Sequence, residues 1–300
     1  MKKKLSRSIY WPTVLVSFLA LLSACEKTVT VKLPEVEQLL VVEGYVETGE
    51  RPYVILSRSL DYFGTLNLNT VTQNTVQGAL VTINDGFVTD TLIQVPGFGV
   101  YFSNRLTGIP GRTYQLTIQA EGKILSSSTY LSAPIPLDSV WWKVDGRRDS
   151  LGFAWAHLTD PDTLGNCYRW FAKRINQYTY GKNIGEQKDS IFIAPLGSVF
   201  EDRFINGQSF DFNVVRGKTY NSNKEDDLKE ENFFFKRGDT IVVKFCSIDR
   251  SCFDFWRGEE TQVSNNGNPF GSVSPIYGNI KGGLGVWCAY STSFDTIYAQ

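Results

Sequence analysis

From residue 38 onward the chain reads as short runs in which apolar and polar residues alternate with a period of two. Gly, Pro, Asn and Asp interrupt the runs. Residues 39–48 (LLVVEGYVET) and 53–60 are the first two predicted strands. Residues 61–77 are polar, with several Thr and Asn, and read as a long loop. Predicted strands at 79–84 and 87–93 flank Asp85-Gly86, and strands at 113–120 and 123–131 flank Glu121-Gly122. Both dipeptides are hairpin signals. With a short strand at 99–103, about seven strands at this spacing predict a β-sandwich over residues 38–133. Val, Ile, Thr, Tyr and Phe dominate these runs, and such residues suit a pleated, half-buried surface.

One stretch sharpens that expectation. Ile109-Pro110-Gly111-Arg112-Thr113-Tyr114-Gln115-Leu116-Thr117-Ile118 resembles the corner and penultimate strand of fibronectin type III and immunoglobulin-like domains. There a Tyr hydroxyl bonds back to the backbone. Tyr114, Leu116 and Ile118 share one strand face, so all three should point into the core. Pro134 and Pro136 then break the pattern, which places a domain boundary at 132–137.

The second half, residues 138–300, reads as an antiparallel β domain, either a small barrel or a second sandwich. Strands are predicted at 138–145, 151–159, 167–178, 240–248, 275–280, 285–290 and 294–298. A single helix is expected near 251–262, where Cys252, Phe255, Trp256 and Glu259 fall at helical spacing and Ser251 can cap the start. Phe253, Phe255 and Trp256 should pack across the mouth of this domain. The charge run at 224–231 reads as a solvated segment. The fold class is therefore all-β.

The first 24 residues have a different character. Lys2, Lys3, Lys4 and Arg7 precede an apolar stretch near 14–22, and small residues follow. This is the layout of a secretory signal peptide, with an apolar run too short for a stable membrane span. Leu22-Ser23-Ala24-Cys25 resembles the lipobox of bacterial lipoproteins, which implies cleavage before Cys25 and diacylglycerol on its sulfur. Residues 25–37 contain Pro34 and no packed pattern, and read as a lipidated tether that reaches roughly 40 Å when extended. Two or three acyl chains at one terminus make a stable anchor. Glu26 is not the Asp that retains enteric lipoproteins in the inner membrane, so the resemblance favours the outer membrane without choosing a leaflet. Removing residues 1–24 takes away three Lys, one Arg and no acid, and moves the formal charge from −1 to −5. A mildly acidic chain without a basic tract argues against nucleic acid as a partner.

Candidate chemistry is sparse. After Cys25 the cysteines are Cys167, Cys246, Cys252 and Cys288. An oxidising compartment permits disulfides, and Cys246 and Cys252 are close enough in sequence to close a small loop; free buried thiols are the alternative. His157 is the only histidine and no CxxC pair occurs, so no metal site or metal cofactor is expected. Asp160, Asp162 and Asn166 depart from the spacing of a calcium loop and read as a turn. No GxSxG elbow accompanies His157, and the acidic pairs Asp226-Asp227 and Glu259-Glu260 point to different faces, so no catalytic residues are assigned and the chain does not read as an enzyme. Aromatic side chains carry the remaining interest. Trp141 and Trp142 are adjacent in a strand and must face opposite sides. Trp142, together with Trp256, is the candidate for ligand or partner contact.

The lipobox, the LVVEGYV first strand, the Pro-Leu-Asp-Ser linker, the Phe-Asp-Phe-Trp helix and the Gly278-Asn279-Ile280-Lys281-Gly282-Gly283-Leu284-Gly285 run together resemble the Bacteroidota lipoproteins grouped as domain of unknown function 4249. That resemblance covers essentially the whole mature chain and transfers no catalytic residue or cofactor. It implies a location beside TonB-dependent outer-membrane receptors and an accessory role in nutrient uptake. A stand-alone glycan- or small-ligand-binding lipoprotein is the alternative expectation.

Overall fold

The structure, a computed structural model, describes residues 37–60, 68–176, 189, 191–217, 233–265 and 275–300. The predicted signal peptide, Cys25, nearly all of the predicted tether and the 224–231 charge run lie outside the described residues. In chain order the elements are β1 (Leu40–Glu47), β2 (Tyr53–Arg58), α1 (Leu68–Gln73), β3 (Leu80–Asn84), β4 (Thr89–Thr91), β5 (Ile93–Val95), β6 (Val100–Phe102), β7 (Arg112–Ala120), β8 (Lys123–Leu131) and β9 (Ser139–Val144). They continue as β10 (Leu151–Thr159), β11 (Cys167–Asn176), β12 (Val199–Glu201), β13 (Ser209–Val214), β14 (Phe235–Lys236), β15 (Thr240–Ile248), α2 (Arg250–Asn265) and β16 (Leu284–Tyr298).

The alternating runs form strands as expected, but they are distributed differently from two separate domains. Eight of them make one sheet in the order β12-β11-β15-β16-β1-β2-β6-β5. Two four-stranded sheets accompany it. One is β4-β3-β7-β8, and the other is β13-β10-β14 with β9 also paired to β10. Among the described residues none of these sheets closes into a barrel. Gln38–Gln300 is one compact unit, so the break at 132–137 separates two covering sheets and not two domains.

The cause is β16. Two strands were expected at 285–290 and 294–298, but the chain runs unbroken through 15 residues. Its first half pairs parallel with β1, from Val41↔Leu284 to Glu47↔Tyr290. Its second half pairs antiparallel with β15, from Ile248↔Tyr290 to Thr240↔Tyr298. The last strand thus welds the first strand to the second half of the molecule.

Period-two alternation assigns the faces. Leu40, Val42 and Val46 of β1, Val54 and Leu56 of β2, and Trp287 and Ala289 of β16 join Tyr114, Leu116, Ile118 and Leu125 in one core. Ala154, Ala156 and Leu158 of β10, Tyr168 and Trp170 of β11, and Val243 and Phe245 of β15 form a second core, with Ile297 of β16 packed against it. Trp287, Ala289 and Ile297 are odd positions of one strand. Both cores therefore lie on the same face of the large sheet. The even positions Val286, Cys288 and Tyr290 meet α2 on the opposite face.

The Tyr114 corner is present. Its hydroxyl donates to the Thr107 carbonyl at 3.0 Å and accepts from the Ile109 amide at 2.7 Å. Glu121 and Gly122, with φ of 51° and 73°, make the two-residue turn between β7 and β8. Other expectations change. The strand predicted at 87–93 divides into β4 and β5, because the chain leaves the small sheet for the large one at the buried Leu92. The predicted loop at 61–77 contains α1. Residues 275–280 form no strand. Asp249, not Ser251, caps α2: its carboxylate accepts the Cys252 amide at 2.9 Å.

Two close approaches hold the weld. Trp287 is fully buried, and its indole N–H donates to the Tyr114 carbonyl at 2.9 Å. The indole lies over Gly44, where a Cβ would come within 2.6 Å of the ring. At Gly285 φ is +102° and a Cβ would sit 1.9 Å from the Val42 carbonyl oxygen. We expect Gly285→Ala to destabilise the protein by about 2 kcal/mol or more, combining backbone strain with a steric clash. Gly146→Ala, which adds a methyl in open space, should stay within about 0.5 kcal/mol of the parent. Urea unfolding of both variants checks this, and equal midpoints would rule it out.

Candidate functional site

The face of the large sheet turned away from both cores carries an unusual set of residues for interior strands. The alternation that sends Tyr168, Trp170 and Ala172 into the second core sends Arg169, Phe171 and Lys173 outward. On β15 the same rule turns Lys244 outward beside Phe245, and on β1 it turns out Glu43, Tyr45 and Glu47. Tyr53 faces Tyr45 across the β1–β2 pair, and Tyr290 stands beside Glu47 across the β1–β16 pair. These strands are far apart in sequence and adjacent only in the sheet.

Helix α2 packs across one end of this face. Cys252 and Phe253 are buried there, with Phe255 and Trp256 packed against the same cluster. The expected position over the mouth of a second domain is replaced by one over the outer face of the shared sheet. Trp256 forms a wall of a cavity of about 570 Å³ whose other walls include Tyr45, Tyr53, Phe171, Phe192 and Tyr290. That volume falls within the usual range for small-molecule sites. An adjoining cavity of about 590 Å³ shares Tyr45, Glu47, Tyr53, Phe192 and Lys244 and extends the space to Arg51, Thr107 and Phe294. Together they form a groove.

Arg169 sits at the inner end and is only 6% exposed. Its guanidinium lies 3.7 Å from the Trp256 ring centre and 5.0 Å from that of Phe171. One terminal nitrogen donates to the Tyr290 hydroxyl at 2.8 Å. Nε is buried without a hydrogen-bond partner, as is the indole nitrogen of Trp256. Among the described residues no carboxylate forms an ion pair with Arg169. Two cation–π contacts offset about 1–2 kcal/mol each of the cost of burying the charge. An uncompensated buried charge costs several kcal/mol, so the arrangement leaves unused binding capacity.

The other charges of the groove are engaged. Lys244 pairs with Glu47, and Tyr45 donates to Glu43. The Lys173 ammonium stands 4.5 Å from the Phe192 ring centre. Burial, with the nearby Glu43 and Glu47 carboxylates, pushes the Tyr53 hydroxyl up to about 12. Burial, reinforced by Tyr290 and Glu43, pushes Tyr45 far above its ordinary value. Both hydroxyls therefore remain protonated donors at any physiological pH. Glu259 of α2 is raised by burial more than Arg169 lowers it.

The residues singled out from sequence have separate fates. Cys25 lies outside the described residues. Trp256 is in the groove. Trp142 lies outside the groove: it is half-buried and packs against the second core, because Val140 and Trp142 share the inward face of β9. Trp141 is the outward ring and stacks on Trp155 across the β9–β10 pair at 6.4 Å. Cys246 and Cys252 are not bridged, and all four described cysteines are free and buried. The Cys252 thiol instead donates to the Trp287 carbonyl at 3.7 Å and neighbours Cys288. His157 Nδ1 lies 2.6 Å from an Asp211 carboxylate oxygen across β10 and β13. Asp160 accepts from the Tyr168 hydroxyl and from the Gly207 amide, and Asp162 from Asn206, so these carboxylates tie their turn to the one before β13. Among the described residues no group of three or more His, Cys, Asp or Glu side chains is arranged to hold a metal ion.

Fold and groove together define an all-β protein with a ligand-sized aromatic groove on the outer face of a shared sheet. A protein-family model described as Domain of unknown function (DUF4249) matches residues 26–295, and the chain belongs to that family. No curated protein shows significant similarity to it. Among solved structures it matches a two fibronectin type-III domain segment from chicken tenascin at 9% identity, covering 71% of this chain and 92% of that one. The TM-score of 0.22 is too low to carry a structural argument.

Burial pushes the Cys246 thiol up to about 12 and holds Cys252 well above its ordinary value, an effect that neighbouring Cys288 reinforces for Cys252. Only thiolates react readily. All four described cysteines are buried, so we expect Cys167, Cys246, Cys252 and Cys288 to resist a thiol reagent at pH 8 in the folded protein and, in the chain lipidated on Cys25, to titrate as four free thiols once it is denatured. A count of two after denaturation without reductant would show a bridge.

Proposed function

We propose that this protein is a non-catalytic binding module, held by lipid on Cys25 at the outer membrane and working as an accessory to a TonB-dependent receptor in nutrient uptake. The observation that carries the binding reading is the groove, whose aromatic walls enclose an Arg169 guanidinium without an acidic partner. Rings stack on flat or ring-shaped ligands, and a desolvated cation supplies orientation. The non-catalytic reading is supported by how the lining carboxylates are used: Glu47 neutralises Lys244 and Glu43 accepts from Tyr45. The anchor and the receptor partnership are supported by the Leu22-Ser23-Ala24-Cys25 motif and the implied receptor neighbourhood. The same groove supports a second reading, a surface lipoprotein that binds a glycan or small ligand without a receptor.

Cross-linking in intact cells, followed by purification of the full chain from solubilised membranes, separates the two. A large β-barrel receptor should co-purify, and a clean monomer would favour the second reading. The anchor has its own test. Cys25→Ala should abolish incorporation of labelled palmitate and block cleavage before residue 25. Unchanged labelling of the variant would sink the lipid assignment.

A further inference from the structure

Deepening the binding reading, and resting on it, we infer that the inner end of the groove is a carboxylate site, with Arg169 receiving the carboxylate of a ligand whose ring or chain lies along Tyr45 and Tyr53. Three observations converge on this. First, Arg169 is buried with its charge unpaired: one terminal nitrogen serves the neutral Tyr290 hydroxyl, and no described carboxylate completes the fork. A guanidinium presents donors in a planar fork that matches a carboxylate, and such charge-assisted bonds are about twice as strong as neutral ones. Second, the inner cavity is lined by three cations, Arg169, Lys173 and Lys244, against two carboxylates, Glu43 and Glu47. The lining groups alone leave one net positive charge, which suits a singly charged acid better than a dianion. Glu259 also lies within electrostatic reach of Arg169, which further disfavours a dianion such as phosphate. Third, the guanidinium packs over the Trp256 ring and lies close to that of Phe171, so its orientation exists before a ligand arrives. The neighbouring rings run outward from this point, Tyr45 to Tyr53 at 5.3 Å, toward the adjoining cavity.

A merely structural Arg169, packed against two rings, would affect stability but would not discriminate between an acid and its neutral counterpart. Calorimetric titration of the full chain in a neutral maltoside detergent uses that difference. The probes are methyl galactopyranosiduronate against its methyl ester, N-acetyl-Leu-Phe against its amide, and inorganic phosphate alone. At least one acid should bind about tenfold or more tightly than its neutral partner, the size expected for a charge-assisted pair. Whichever acid binds identifies the source as an acidic sugar or a peptide terminus. Arg169→Gln should erase that preference while leaving the neutral partner's affinity in place. If Arg169→Gln fails to fold, Arg169→Lys keeps the charge, loses the planar fork and should reduce the preference by about tenfold. Equal binding of acid and neutral partner, tighter binding of phosphate, a preference left undiminished in the variants, or no binding of either acid overturns the carboxylate assignment. Co-purification of the receptor needs no ligand, so it judges the underlying reading independently.

Discussion

Strand β16 has to satisfy neighbours on both of its edges and both of its faces. Through Glu47 it is bound to β1, and beyond Tyr290 it is bound to β15. Along the first half, the edge away from β1 has no partner strand, and side chains stand in for one. The Asn279 amide accepts from the Trp287 N–H and donates to its carbonyl, each at 2.8 Å, and Thr129 accepts from the Ala289 amide at 3.0 Å. Buried backbone groups must find partners. Asn279 therefore works as a one-residue strand, and its Ser127 contact at 2.8 Å ties the arrangement to β8. Trp287 fills the space between the two layers, and removing so large a buried ring typically costs about 3–5 kcal/mol. The glycine-rich run before β16 belongs to this joint: it lets the strand enter against the β1 backbone.

The groove is a consequence of that joint. Because β16 lies between β1 and β15, Tyr45, Tyr290, Lys244 and Arg169 become neighbours on one face, although they come from four strands dispersed along the chain. The two smaller sheets cover the other face, and α2 covers only part of this one. What remains is a patch of interior sheet lined by rings and charges. Tyr45 and Tyr290 pack at 5.6 Å, and Tyr45 and Trp256 lie nearly parallel at 6.5 Å, so the walls support one another as well as the cavity. A rigid sheet floor holds Arg169 in place at a cost in stability that flexible loops would relax. Such a site is preorganised, which reduces the ordering cost of binding.

Much of the architecture was legible before the third dimension. The period-two pattern located most of the strands, the turn at Glu121-Gly122 and the inward set Tyr114, Leu116 and Ile118, because strand alternation and turn geometry are local properties of the chain. Trp256 was singled out within the aromatic cluster of the predicted helix, and it lines the groove. Arg169, Lys173 and Lys244 were each written as outward positions in CYRWFAKRI and TIVVKFCSI, yet nothing local indicated that these outward faces adjoin. The orientation of the tryptophan pair was hidden for a related reason: adjacency forces Trp141 and Trp142 to opposite sides, but only the placement of β10 and the second core decides which packs inward.

By itself, then, the sequence determined the all-β class, most strand positions and the alternation of faces along each strand, all of which follow from residue type and short-range spacing. The tertiary structure alone decided that the two halves share one sheet, that the four described cysteines stay free, and that a buried arginine faces an aromatic groove. Those outcomes depend on pairings across as many as two hundred and forty residues, such as Glu47 with Tyr290. The free energy of such pairings comes from burial and hydrogen bonding between segments whose proximity no local pattern encodes.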